Sequence, residues 1–193
     1  MRHSFYLMAL ALLLMSCDEN YVPKPKGYLR LEYPEAQYVQ TDMDVPFTFE
    51  TNTVGAYLTS KKQAGTTESY AINIEHPLLK GTIFLTYKAI GNSKDNLLAF
   101  LKDAQSLPQK HMIKADGILE ERYENREHNV YGMFYEVGGD AASQSQFYIT
   151  DSINHFLTGS LYFYAKPNYD SILPAANYLK KDIKHIMETI KWN

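Results

Sequence analysis

The residues best equipped for chemistry in this 193-residue chain are Asp151, Ser152 and His155, an acid, a hydroxyl and an imidazole within five positions. Such a trio hydrolyses acyl bonds when the three groups line up beside an oxyanion hole. Here they stand in Asp-Ser-Ile-Asn-His, where short polar side chains hydrogen-bond their own backbone, so the spacing predicts a tight turn and not a nucleophile elbow. Adjacent Glu120 and Glu121 point to opposite faces of a strand, which keeps them from acting as an acid and base pair. His76, His111, His128, His155 and His185 are never three or four apart and form no zinc pattern. Gly138-Gly139 lacks the spacing of a phosphate loop. His128 is expected in a charged turn and His185 on a solvated helix face. The sixteen tyrosines offer ring faces that suit carbohydrate, although sheet packing accounts for most of them. No catalytic residue, metal or cofactor is assigned.

Cys17 is the only cysteine. It follows a short apolar run over 5–15 preceded by Arg2 and His3, the length of a signal-peptide core and too short to span a bilayer. Leu14-Met15-Ser16-Cys17 resembles a bacterial lipobox, which implies that residues 1–16 are a lipoprotein signal peptide and that Cys17 carries lipid. Several acyl chains on one residue make a stable anchor where one chain does not. Residues 17–27, with two prolines and no apolar periodicity, read as anchor and extended tether. With 45% hydrophobic and 21% charged residues, the remaining 28–193 suffice for a single globular domain with its own core. A net charge of −3 gives nucleic acid no basic footprint.

The elements around these residues follow from periodicity. Alternation predicts a first strand over 45–50, a hairpin over 69–75 and 82–88, and strands over 118–124 and 130–137 joined across the polar 125–129 turn. The 155–165 stretch carries apolar groups on both faces, as does 130–137, which predicts central strands covered twice. Ser93 caps a helix that presents Leu97, Phe100, Leu101 and Ala104 until Pro108 interrupts it, with a short helical piece over 109–116. Ile172, Ala176, Leu179, Ile183, Ile186 and Ile190 fall on one side of a long last helix. Asp170 or Ser171 is expected to cap it, with Pro174 in its first turn and Lys181, Lys184, His185 and Glu188 on its wet face. The fold class is α+β: one domain, mainly an antiparallel sheet covered by helices on both faces. This order is similar to the PsbP-like sandwich, whose members are mostly non-catalytic adapters; fold alone fixes no function.

Residues 138–170 read GGDAASQSQFYITDSINHFLTGSLYFYAKPNYD. The Gly-rich Ala-Ser loop, the QF-x-x-TDS-x-x-HF strand pair and the PN-x-DS-x-x-P helix start resemble the gliding-motility lipoprotein GldD family, as does GYLRLEYPE over 27–35. The resemblance implies a membrane-anchored, non-enzymatic part of the gliding machinery and its coupled secretion system. The partners it implies are other gliding components, and the location is the cell envelope, on the inner or outer membrane, facing the periplasm. A ligand- or peptidoglycan-binding module is the second reading and a hydrolase the third; an open aromatic cleft favours the former, contact between Asp151 and His155 the latter.

Strand direction alone places the loop after 130–137 and the start of the last helix on one rim, with Asp151 and His155 at the far end. Gly138, Gly139, Asp140, Ser143, Asn168 and Asp170 are the expected partner-binding residues there, since loops on a rigid sheet concentrate binding groups. For the anchor, Cys17→Ala is expected to release the protein from membranes or block its maturation, checked by fatty-acid labelling and fractionation.

Overall fold

Period-two alternation carries most of this chain into strands, and the computed structural model describes residues 31–111, 115–164 and 169–193. In chain order these give β1 (Tyr38–Gln40), β2 (Phe47–Thr48), β3 (Glu50–Asn52), β4 (Tyr57–Gln63), β5 (Ser69–His76) and β6 (Gly81–Ala89). The helix α1 (Lys94–His111) follows, then β7 (Ala115–Asn125), β8 (Val130–Gly139), β9 (Ser143–Thr150), β10 (His155–Phe163), α2 (Tyr169–Thr189) and β11 (Lys191–Trp192). Seven strands form one sheet in the order β4-β5-β6-β10-β9-β8-β7, and every neighbouring pair is antiparallel. Two small ribbons, β1 with β3 and β2 with β11, stand beside it. The fold is α+β, mostly antiparallel sheet with two helices among the described residues.

Side chains of odd and even positions gather in two clusters. Ile72, Ile83, Leu85, Phe147, Ile149, Leu157 and Leu161 pack with Leu179, Ile183 and Ile186 of α2, with Ile190 just after it, and with Phe47 and Phe49. Tyr135, Tyr148, Phe156 and Ile90 pack with Leu97, Phe100, Leu101 and Ala104 of α1. Each fully buried large apolar side chain contributes about 1.5–3 kcal/mol. The expected helical stripe is therefore the buried one: Leu179, Ile183 and Ile190 are wholly inaccessible.

Several local expectations change. The first strand splits into β2 and β3, each serving a different ribbon. Strand β4 was not expected, because Tyr57–Gln63 is an exposed edge rich in polar residues and shows no alternation. Ser93 does cap α1, accepting the Asn96 N–H at 3.3 Å. The helix passes through Pro108 to His111, since a proline one turn from the end removes a single backbone bond. Residues 109–111 thus extend α1 in place of a separate helical piece, 112–114 lie outside the described residues, and β7 takes over at Ala115.

Helix α2 begins at Tyr169, so Asp170 sits in its first turn instead of capping it, and Pro174 lies inside the helix. An acid there still complements the N-terminal dipole. Lys184 and His185 are not purely solvated: Lys184 Nζ meets Glu121 at 2.6 Å, and His185 stacks on Tyr38 at 3.6 Å while bonding Glu50 at 2.7 Å.

At the centre of the sheet, Gly159 faces Phe147 across the β10–β9 pair. A Cβ on Gly159 would stand 2.0 Å from a Phe147 ring carbon, so the phenyl ring lies where any other residue would put its side chain. Gly159→Ala is expected to destabilise the fold by about 1–3 kcal/mol through overpacking, measured by denaturant unfolding.

Candidate functional site

The β8–β9 loop and the start of α2 meet at one end of the sheet. Asp140, at the surface, accepts the Tyr169 backbone N–H through Oδ1 at 2.9 Å, so a carboxylate from a distant loop satisfies one of the unpaired donors of the helix N-terminus. Gly139 allows the approach: its φ is +83°, and a Cβ there would lie 2.8 Å from the Asp116 nitrogen. Gly138 stands near the Tyr169 hydroxyl, which is 3.8 Å from the place of its missing Cβ. Gly138, Gly139, Asp140 and Asp170 are thereby gathered on one rim, while Asn168 lies outside the described residues. Ser143 is a correction. It is fully buried and its hydroxyl donates to the Ser145 carbonyl at 3.2 Å, because β9 begins at this residue and carries it under the surface; it offers nothing to a partner.

The opposite end holds the Asp151 turn. Asp151 Oδ1 accepts the backbone N–H groups of Ile153, Asn154 and His155 at 2.9, 2.8 and 2.8 Å, and Ser152 adopts a positive φ of 67°. The His155 ring instead meets the Tyr87 hydroxyl at 2.8 Å through Nδ1 and stacks on Trp192 with centroids 5.1 Å apart. Burial lowers its pKa more than Asp151 raises it. Carboxylate and imidazole are thus held by other partners, and the arrangement is that of a turn and an aromatic clasp.

A third constellation was not foreseen. Asp182, on the buried side of α2, is only 3% exposed. It accepts the Tyr38 hydroxyl at 2.7 Å and the Asn52 amide at 3.2 Å, and Asn52 also donates to the Tyr178 hydroxyl at 3.1 Å. Buried His76 points Nε2 at Asp182 from 3.9 Å, too far for a hydrogen bond, and that nitrogen has no hydrogen-bond partner among the described residues. Desolvation therefore outweighs the carboxylate's attraction and lowers the His76 pKa. Burial, and then the bond to Asp182, raises that of the Tyr38 phenol. Above this network a cleft of about 460 Å³ opens between the segment at 31–38 and α2, lined by Tyr33, Tyr38, Tyr178, Glu35, Lys181 and Asp182 among others. Tyr33 and Tyr178 lie with ring centroids 5.0 Å apart. The sequence signal for this site was an acid beside the apolar stripe, between Leu179 and Ile183. Among the described residues no group of three or more potential ligands is placed to hold a metal ion.

A family model described as gliding motility lipoprotein GldD matches residues 18–192. The chain belongs to the GldD family. The match spans the rim, the Asp151 turn and the Asp182 network alike, and it makes the chain a gliding motility lipoprotein. No curated protein and no solved structure shows significant similarity to it. Within this family member, the chemistry of the three constellations differs: the rim exposes a carboxylate, the turn consumes one, and the network buries one.

The buried network makes stability depend on pH. The folded pKa of His76 lies below its ordinary value of 6.5, so the unfolded chain binds the extra proton first. Stability contributed by neutral His76 is full above pH 6.5 and is lost as pH falls towards its lowered folded pKa. Between about pH 7 and 5.5 the wild type is expected to lose more unfolding free energy than His76→Gln, which cannot charge. Urea titrations of both chains across that range check it.

Proposed function

We propose that this chain works as a lipid-anchored, non-enzymatic component of the gliding apparatus, associated with the coupled protein secretion system. Family membership over residues 18–192 carries the reading. The anchor is lipid on Cys17, with 1–16 as the removed signal peptide, 17–27 as tether and 28–193 as the domain held in the cell envelope, facing the periplasm from the inner or outer membrane. None of the described helices is long and apolar enough to cross a membrane. The non-enzymatic part is supported by the fate of Asp151 and His155, whose polar atoms are taken up by turn and clasp.

The architecture we assign is a sheet with one helix on each face, of the PsbP-like sandwich type. Its support is the split of neighbouring β9 residues: Phe147 packs in the cluster with α2, Tyr148 in the cluster with α1. A sandwich of this kind leaves its loops as the docking surface. The partner-binding surface is then the rim of Gly138, Gly139, Asp140, Asn168 and Asp170, and other gliding components are what it meets. A second reading, an envelope ligand- or peptidoglycan-binding module, is favoured by the tyrosines of the cleft beside α2, since aromatic faces and fixed polar groups suit a sugar.

Asp140 separates fold from docking. Asp140→Asn keeps an oxygen for the Tyr169 N–H but removes the charge, and Asp140→Lys removes both. Motility is expected to fail in both variants, with melting temperature near wild type for Asp140→Asn, whereas Glu188→Lys on the exposed side of α2 glides normally. Normal gliding by both Asp140 variants rejects the rim.

A further inference from the structure

Turns between antiparallel strands are ordinarily built from Gly, Pro, Asn, Asp and Ser, but the one joining β5 to β6 carries two leucines. It reads Pro77-Leu78-Leu79-Lys80, a single tight helical turn, and Leu78 at its tip is 89% exposed. The tip is held in place: Lys80 adopts the left-handed conformation, φ 51°, and its N–H donates to the Pro77 carbonyl at 3.1 Å. Two more large side chains stand open beside it. Tyr57, 65% exposed, begins β4 opposite Glu75, two residues before the turn. Tyr164, 68% exposed, follows β10, and its backbone N–H donates to the Lys80 carbonyl at 2.7 Å.

The chain enters the domain at this same end. Leu31 lines the 460 Å³ cleft together with Pro174 of α2, the helix whose start Asp140 holds at the rim. Asp182 lines that cleft too, and His76, directly before the turn, lies 3.9 Å from it. Turn and entry point are therefore neighbours. Only residues 17–30 separate Leu31 from Cys17, and fourteen residues reach at most about 50 Å. An acyl anchor on Cys17 thus pulls on the end that carries Leu78. The Asp151 turn and Trp192 lie at the other end, the length of β10 away, or about 30 Å.

We infer that the β5–β6 turn seats this domain on the lipid bilayer, with Leu78 in the acyl boundary and Tyr57 and Tyr164 at headgroup level. The inference rests on the reading of Cys17 as the lipid anchor. Its chemistry is that of a membrane interface: an aliphatic tip, tyrosines with an apolar body and a polar end, and exposed Lys80 to meet phosphate. One leucine binds a bilayer weakly by itself, but the anchor makes the encounter intramolecular and so raises its effective concentration. The rim acids do not oppose it, because the β8–β9 loop lies three strand spacings from the turn, about 14 Å. A protein groove could receive the same leucine, yet the anchor delivers a bilayer to this end and no other partner. The rim then lies beside the membrane, and the Asp151 end points away from it.

The test places a tryptophan at the tip of the full chain, Leu78→Trp, in vesicles of phosphatidylcholine and phosphatidylglycerol with or without bromine on the acyl chains. Bromine quenches an indole that reaches the acyl boundary, and about twofold or greater loss of the added emission is expected. Wild type is the control, since Trp192 stacks on His155 at the other end and is expected to stay unquenched. Tyr164→Trp is expected to be quenched as well, and adding Leu78→Asp to that chain to abolish the quenching with no change in melting temperature. Fatty-acid labelling of Cys17 is read on the same samples. A labelled chain whose Leu78→Trp emission ignores bromine overturns the bilayer contact and leaves the anchor standing. An unlabelled chain overturns the anchor, while quenching or its absence still decides the tip. Emission of Leu78→Trp that shifts to the blue with protein concentration in detergent, without lipid, marks a second copy on the tip and also overturns the proposal.

Discussion

The pairing of β10 with β6 is the contact on which the rest depends. Strands β4, β5 and β6 form one meander and β7 to β10 another, and in the sheet order the two join only where His155–Phe163 lies against Gly81–Ala89. That register spans nine pairs, from His155 with Ala89 to Phe163 with Gly81. Each meander alone has a sheet too narrow to bury Leu157, Leu161, Ile83 and Leu85, which are almost wholly inaccessible once joined. Formation of this seam also places Phe156 under α1 and Leu161 under α2. The glycine at 159 belongs to this constraint, since it lets the Phe147 ring close over β10 at the centre of the seam.

Around that seam, buried polar groups do what apolar packing does not, which is to fix partners one by one. Asp182 ties the segment before the sheet, through Tyr38, to β3, through Asn52, and both to α2. A buried carboxylate is destabilising unless its oxygens are met, and its donors Tyr38 and Asn52, partners across the β1–β3 ribbon, both lie far from it in the chain. The network therefore selects one docking of the helix among the many that an aliphatic stripe of Leu179, Ile183 and Ile186 would allow. Asp140 performs a similar service at the other end of α2, where it receives the Tyr169 N–H. The helix is thus positioned by one exposed and one buried carboxylate.

How much of this could be read from the sequence follows from the range of each interaction. The β5–β6 hairpin was legible because Ile72, Ile74, Ile83 and Leu85 alternate within a short stretch, and the stripe of α2 because its period is local. The meeting of the β8–β9 loop with the start of α2 followed from counting strand directions. Strand β4 was not legible, since an edge strand such as Tyr57–Gln63 has one covered neighbour and little need of apolar groups. Ser143 misled because a serine after Gly-Gly reads as loop, whereas it opens a strand whose eight residues are all buried. The Asp182 network was hidden for a different reason. Its bonds cross 144 and 130 residues of chain, and no local pattern marks which acid in a helix will find a tyrosine and an asparagine that far away.

The clasp at the end of the chain has one more property. Trp192 is the only tryptophan, and β11 holds it against β2. Its indole lies nearly parallel to the stacked His155 ring, the planes 4° apart, and donates to the Asn129 carbonyl at 3.3 Å. Light absorbed by the indole is therefore released from a single, defined surrounding of imidazole and phenyl rings. The protein carries its own optical gauge: the colour and yield of its emission report whether the last strand is docked, and whether the neighbouring imidazole has taken up a proton, with no label added.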